Sequence, residues 1–76
     1  MQILGQRLKA LRKQLQAGQK EIAELLGLSL RSYQFYESGA YDPSLPNLIL
    51  LADYFQVSTD YLLGRTDDPG HGKNRG

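Results

Sequence analysis

Cysteine is absent from this chain of 76 residues, and so is any apolar run approaching the roughly 20 residues needed to span a bilayer. No secretory signal pattern opens it, so a cytoplasmic location is expected. The sole histidine, His71, lies in a polar, glycine-rich stretch where imidazoles are solvated far more often than catalytic or metal-bound. There is no paired ligand set and no phosphate-cradling glycine loop. An enzyme, a metal site and a bound cofactor are therefore not expected. Without a disulfide, a domain of this size buries only about 60% of its unfolded surface and must rely on well-packed helices.

What is present concentrates in QKEIAELLGLSLRSYQFYESG, Gln19 to Gly39, which reads as two short helices joined by a tight turn at Gly27-Leu28-Ser29. A chain reversing sharply between helices needs a residue at positive φ, which glycine supplies without steric penalty. Ser29 precedes an amphipathic run, where its hydroxyl can cap an orphan amide of the first turn. In the first helix Ile22, Ala23 and Leu26 share a flank, and the small Ala23 lets the second helix approach closely. Lys20, Glu21 and Glu24 lie away from it.

Unrolled at about 100° per residue, the second helix sets Tyr33 and Tyr36 on one side with Ser29 between them, the side expected to face the core. Leu30, Arg31, Gln34, Phe35 and Ser38 then share an outward arc of roughly 140°. A solvated face seldom carries a leucine and a phenylalanine beside arginine and glutamine. Such a mixture suits a DNA major groove: arginine donates twice to guanine, glutamine pairs bidentately with adenine, and apolar side chains pack on the thymine methyl. A small helical domain with Leu30 and Phe35 in its core, or with both anchoring a protein partner, is the competing reading. RNA fits less well, because a reading helix does not enter the narrow major groove of A-form duplex.

The chain resembles the lambda-repressor and Cro-like family of DNA-binding domains, the Xre-type helix-turn-helix family. Three segments carry the resemblance in order and spacing: LGQRLKALR at 4–12, Gln19 to Gly39 with QKEIAELLGLS and ESG, and PSLPNLILLADYFQVSTDYLLG at 43–64. The resemblance implies an all-α fold, a compact five-helix bundle whose third helix, Leu30 to Ser38, reads the major groove. It implies that Gln19 touches the DNA backbone, that Leu30, Arg31, Gln34 and Phe35 occupy base-reading positions, and that Ser29, Ser32 and Ser38 lie near phosphate or sugar. Arg12 and Glu37 match an ion pair of this fold. Arg12 borders the stripe Leu4, Leu8, Leu11 and Leu15 of the first helix, and Glu37 borders the tyrosine face, so the two are expected to meet, partly buried.

Two departures stand out. Gly18 replaces the serine or threonine cap that relatives favour before the glutamine, at a cost of a few tenths of a kcal/mol. The loop AYDP after Gly39 has no lysine or arginine for a phosphate, which leaves Tyr41 as a hydroxyl donor and adds the negative Asp42. The net charge is only +1, yet residues 1–41 carry six basic and three acidic side chains while residues 42–76 carry three and five. Phosphate attraction requires only a local patch. Arg7, Lys9, Arg12 and Lys13 read equally as a solvated helix face.

In the second half, Ser44 is expected to cap a fourth helix with Pro46 in its first turn and Leu45, Leu48, Leu51, Ala52 and Phe55 on its buried side. Ser58 is expected to cap a short fifth helix ending at Gly64. Leu50 and Tyr54, with Tyr61 or Leu62, are candidate dimer contacts. The expected organisation is a DNA-binding domain over residues 1–64 and a polar, flexible tail over 65–76. The expected function is sequence-specific regulation of transcription, repression before activation, by a homodimer on a palindromic operator of double-stranded DNA.

Overall fold

Three serines mark where helices begin. The hydroxyls of Ser29, Ser44 and Ser58 accept from the amides of Ser32 (3.1 Å), Asn47 (3.3 Å) and Tyr61 (3.0 Å), satisfying donors that the first helical turn would otherwise leave unpaired. The structure, a computed structural model, describes residues 1–70. It is built from α1 (Gln2–Gln14), α2 (Gln19–Leu26), α3 (Leu30–Ser38), α4 (Leu45–Phe55) and α5 (Thr59–Leu62), with no strand among the described residues. Gly18 caps α2 with no side-chain hydrogen bond, as its lack of a side chain dictates.

All five helices point apolar residues at one core. Leu4, Leu8, Ile22, Tyr33, Leu51 and Leu62 are fully buried, and Ala23, Leu26, Tyr36, Leu48, Ala52, Phe55 and Val57 complete it. Gly5, also buried, sets how closely α1 approaches α3. A β-carbon there would sit 2.7 Å from the carbonyl oxygen of Tyr36 and against that of Glu37, so only glycine admits this approach.

Several expectations need correction. Leu62, the last residue of α5, is wholly buried in the core and has no surface to offer a second copy, so it is withdrawn as a dimer contact. Leu45 is 74% exposed, because it is the first residue of α4 and that turn projects beyond the core that Leu48 and Leu51 reach. Leu15 is likewise exposed, lying at the C-cap of α1 where the chain turns away. Ser29 is exposed and engaged as a cap instead of lying on the tyrosine side.

The ordered body also extends past Gly64. Arg7 Nη1 donates to the carbonyls of Tyr61 and Thr66, both at 2.6 Å, and Nη2 meets Asp67 at 2.8 Å. The Arg7 guanidinium lies 4.1 Å from the centre of the Tyr61 ring. The amide of Ser58 donates to Pro69 O at 2.8 Å. Residues 65–70, the first part of the expected tail, are therefore strapped to α1 and α5. His71 and the remainder of the expected tail lie outside the described residues.

Candidate nucleic-acid interface

The turn between α2 and α3 is made by Gly27 at φ 71°, whose amide and that of Leu28 close onto the carbonyls of Glu24 and Ala23. Nothing lies within 4 Å of where a Gly27 side chain would begin, so conformation and not space calls for glycine. The core then fixes the rotation of α3. With Tyr33 and Tyr36 buried, Leu30, Arg31, Gln34 and Ser38 emerge exposed on the opposite side.

Phe35 is only half-buried on that face. Its ring packs on Tyr41 with centroids 4.7 Å apart, and the Arg31 guanidinium lies 5.5 Å from its centre. Phe35 thus joins the outer surface of α3 to the following loop and holds Tyr41 beside it, leaving Tyr41 58% exposed. In the same loop Asp42 Oδ1 lies 2.6 Å from the Met1 amino group, which also donates to Gly39 O at 3.1 Å.

The three serines expected near phosphate or sugar, Ser29, Ser32 and Ser38, differ in what they have left to give. Ser29 donates its hydroxyl proton to Ser32 Oγ at 3.0 Å, and Ser38 donates to Phe35 O at 3.1 Å. Ser32 keeps its own hydroxyl proton uncommitted among the described residues.

Beneath the face, Arg12 and Glu37 come together as a two-pronged pair: Nε to Oε2 at 2.6 Å and Nη2 to Oε1 at 3.2 Å, with side chains only 12% and 5% exposed. Arg12 Nη1 also donates to Ala17 O at 3.0 Å, tying the α1–α2 turn into the pair. Glu37 accepts further from Tyr33 OH at 2.7 Å and Gln19 Nε2 at 3.0 Å. Burial alone would push the Glu37 carboxyl up. The hydrogen bonds from Arg12, Tyr33 and Gln19 outweigh it and hold the group below the usual glutamate range. In return, Glu37 raises the Arg12 guanidinium, while burial and then Glu37 push the Tyr33 phenol well up.

Gln19 does not hang free over the surface. Its Nε2 is on Glu37 and its Oε1 accepts from Gln34 Nε2 at 3.0 Å. With Lys9, Ser38 and Glu37 these two glutamines line an open cleft of about 290 Å³ where α1, α2 and α3 meet. Neither this link nor the role of Gly5 was foreseen from sequence; the ESG element and Gln19 flagged the residues but not the bond.

The candidate dimer residues lie apart from α3. Leu50 is 43% exposed, Tyr54 is half-buried and donates to Glu21 at 2.8 Å, and Tyr61 is half-covered by Arg7. No cluster of His, Cys, Asp or Glu among the described residues is placed to hold a metal ion, and no described helix is long and apolar enough to cross a membrane.

Comparison with known proteins agrees with this geometry. A family described as helix-turn-helix matches residues 8–62. An uncharacterised helix-turn-helix transcriptional regulator of Bacillus subtilis, YobD, is 44% identical over 64 residues, covering 84% of this chain and 57% of that protein. The cryptic phage CTXphi transcriptional repressor RstR of Vibrio cholerae is 42% identical over 62 residues, covering 82% and 55%. The chain thus spans little more than half the length of these relatives. A crystal structure of the P22 c2 repressor, from a Salmonella phage, in complex with a synthetic operator superposes with a TM-score of 0.74 at 32% identity, covering 82% of this chain and 94% of that one. The helix-turn-helix match over residues 8–62, together with the likeness to these regulators and to the P22 c2 repressor, makes this chain a member of the lambda-repressor-like helix-turn-helix family of transcriptional regulators.

Proposed function

We propose that this chain is the operator-binding domain of a cytoplasmic transcriptional repressor. Two copies bind a palindromic site as a homodimer, each placing α3 in the major groove about one DNA turn, roughly 34 Å, from the other, and exclude polymerase by occupancy. The observation that carries this reading is the outer face of α3. Leu30, Arg31 and Gln34 stand exposed there while the one acidic residue of the helix, Glu37, is neutralised underneath by Arg12.

In this reading Arg31 donates to a guanine, Gln34 pairs with an adenine, and Leu30 and Phe35 pack against thymine methyls. Ser32 donates to a phosphate, since Ser29 and Ser38 have spent their protons within the protein, and these two accept or lie beside the backbone. Gln19 and Tyr41 flank the groove and contact the sugar-phosphate chain. Leu50 and Tyr54, with the uncovered edge of Tyr61, are proposed to meet a second copy. Arg31 and Lys9 add local positive charge, and affinity falls steeply with salt as condensed counterions are released.

Selection of sites from a randomised duplex pool tests this, followed by anisotropy titration of the winner and a scrambled duplex at several salt concentrations. Enrichment of a palindrome bound by two copies, with salt-dependent affinity, is the expected result. Failure to enrich any sequence or to bind either duplex overturns the reading and makes Leu30 and Phe35 anchors for a protein partner.

A further inference from the structure

Arg31 and Phe35 stand one turn apart on α3, and helical side chains lean toward the N-terminus, so the ring of Phe35 reaches back over the turn that carries Arg31. The guanidinium carbon lies 5.5 Å from the ring centre, within the range of a cation over an aromatic face. The half-buried ring is itself backed by the loop that follows. Tyr41 packs on it with centroids 4.7 Å apart and planes at 60°, and the Tyr41 amide donates to Phe35 O at 3.2 Å. The Ala40 amide, at 3.0 Å, and the Ser38 hydroxyl, at 3.1 Å, donate to the same carbonyl. Three donors thus converge on Phe35 and keep Tyr41 against its ring.

From this row of side chains we infer that Phe35 is a positioning residue for Arg31, a shelf that holds the guanidinium for a guanine, so that the two read that guanine and a neighbouring thymine as one unit. A shelf differs from an ion pair in what it leaves available. Arg12 has Nε, Nη1 and Nη2 all engaged within the protein. Arg31 rests on a π face and, among the described residues, forms no ion pair and no side-chain hydrogen bond, so its N–H fork stays whole for O6 and N7 of guanine. An arginine stem without a shelf must be ordered when DNA binds, and the ring restricts it beforehand. The distance also constrains the site. Successive bases rise by roughly 3.4 Å, so a ring centred 5.5 Å from a guanidinium in the plane of a guanine lies against an adjacent base pair. The apolar group that the major groove offers there is the thymine methyl.

The inference rests on the major-groove reading of α3, and the experiment separates the two. Affinities are measured for the selected operator and for each of its single-base-pair variants, with Arg31→Ala, Phe35→Leu, Phe35→Tyr and the double variant Arg31→Ala/Phe35→Leu. Arg31→Ala should relax discrimination at one G·C pair. Phe35→Leu keeps an apolar side chain for a thymine methyl but removes the aromatic face, and it should relax that same G·C pair by about two- to fivefold, the strength of an exposed cation–π contact. Phe35→Tyr should restore the discrimination, and in the Arg31→Ala background Phe35→Leu should relax that pair no further. Deoxyuridine in place of the thymine beside that guanine should weaken the wild type. If Phe35→Leu fails to fold, Tyr41→Ala removes the ring's backing and should relax the same pair, beyond any uniform loss from a missing backbone contact. Uniform weakening by the Phe35 or Tyr41 variant on every duplex, with Arg31→Ala still relaxing its G·C pair, overturns the shelf and leaves the reading helix intact. An Arg31→Ala protein that relaxes no base pair overturns the assignment of Arg31 as well.

Discussion

The two sides of α3 treat their polar groups in opposite ways. On the inner side Tyr33 donates to Glu37, Glu37 accepts four hydrogen bonds, and Tyr36 accepts from Asn47 of α4 at 3.2 Å. No buried side-chain polar atom among the described residues lacks a partner. On the outer side, among the described residues, Arg31 forms no ion pair, Ser32 keeps a proton, and Gln34 keeps its oxygen and one N–H. A helix of nine residues is too short to be stable alone, so its inner face must fix its rotation for its outer face to present anything definite.

Breaking the inner side should have the largest effect on stability. Glu37→Gln leaves the Arg12 guanidinium largely buried without its counter-charge and is expected to cost about 3 kcal/mol, the lower end for such pairs. For a domain of this size the Tm should fall by on the order of 12 °C or more. The folded-state carboxyl lies below its unfolded value, so its contribution is present above the ordinary glutamate range and is lost as pH falls through the folded value. The urea midpoint of the wild type should therefore decline as pH drops below about 4.5, and Glu37→Gln should lose part of that decline. An unchanged Tm in Glu37→Gln would remove the pair as the link between α1 and α3.

Gly5→Ala comes next. The added methyl meets backbone carbonyls, which cannot rotate aside, so α1 must move from α3. We expect a loss of about 2 kcal/mol by denaturant titration, typical of overpacking. Gly27→Ala is smaller, about 1 kcal/mol, because the cost there is the left-handed backbone alone and the space is open. If the two glycine substitutions cost the same, the close approach at Gly5 is not what holds the helices together.

Much of this organisation was legible in the sequence because it is local. Serine caps, the Gly27 turn and the rotation that buries Tyr33 and Tyr36 are set by residues within one or two helical turns, where a 100° step is informative. The Arg12–Glu37 pair drew on both sources, since each residue borders the apolar face of its own helix and the family likeness matches the two as partners. What stayed hidden depends on residues far apart in the chain. Periodicity assigns Leu45 and Leu62 to faces of their own helices, but it does not say that α4 begins beyond the core or that α5 is wedged between α1 and α4. Arg7 looks like one more cation on α1, although its partners lie 54 to 60 positions away. Within a helix Gly5 reads only as a weak former until α3 is seen against it, and the Gln19–Gln34 bond needs the packing of α2 on α3 to exist at all.

Arg31→Ala changes the outer side alone and should alter stability by no more than about 0.5 kcal/mol. It is also the most direct test of the claim that this outer side reads sequence. Its affinity should be measured by anisotropy on the selected operator and on a scrambled duplex at the same salt. A loss of about 1 to 3 kcal/mol confined to the operator, with relaxed choice at one base pair, is the result this account predicts. An equal loss on both duplexes, or no loss on either, would contradict it.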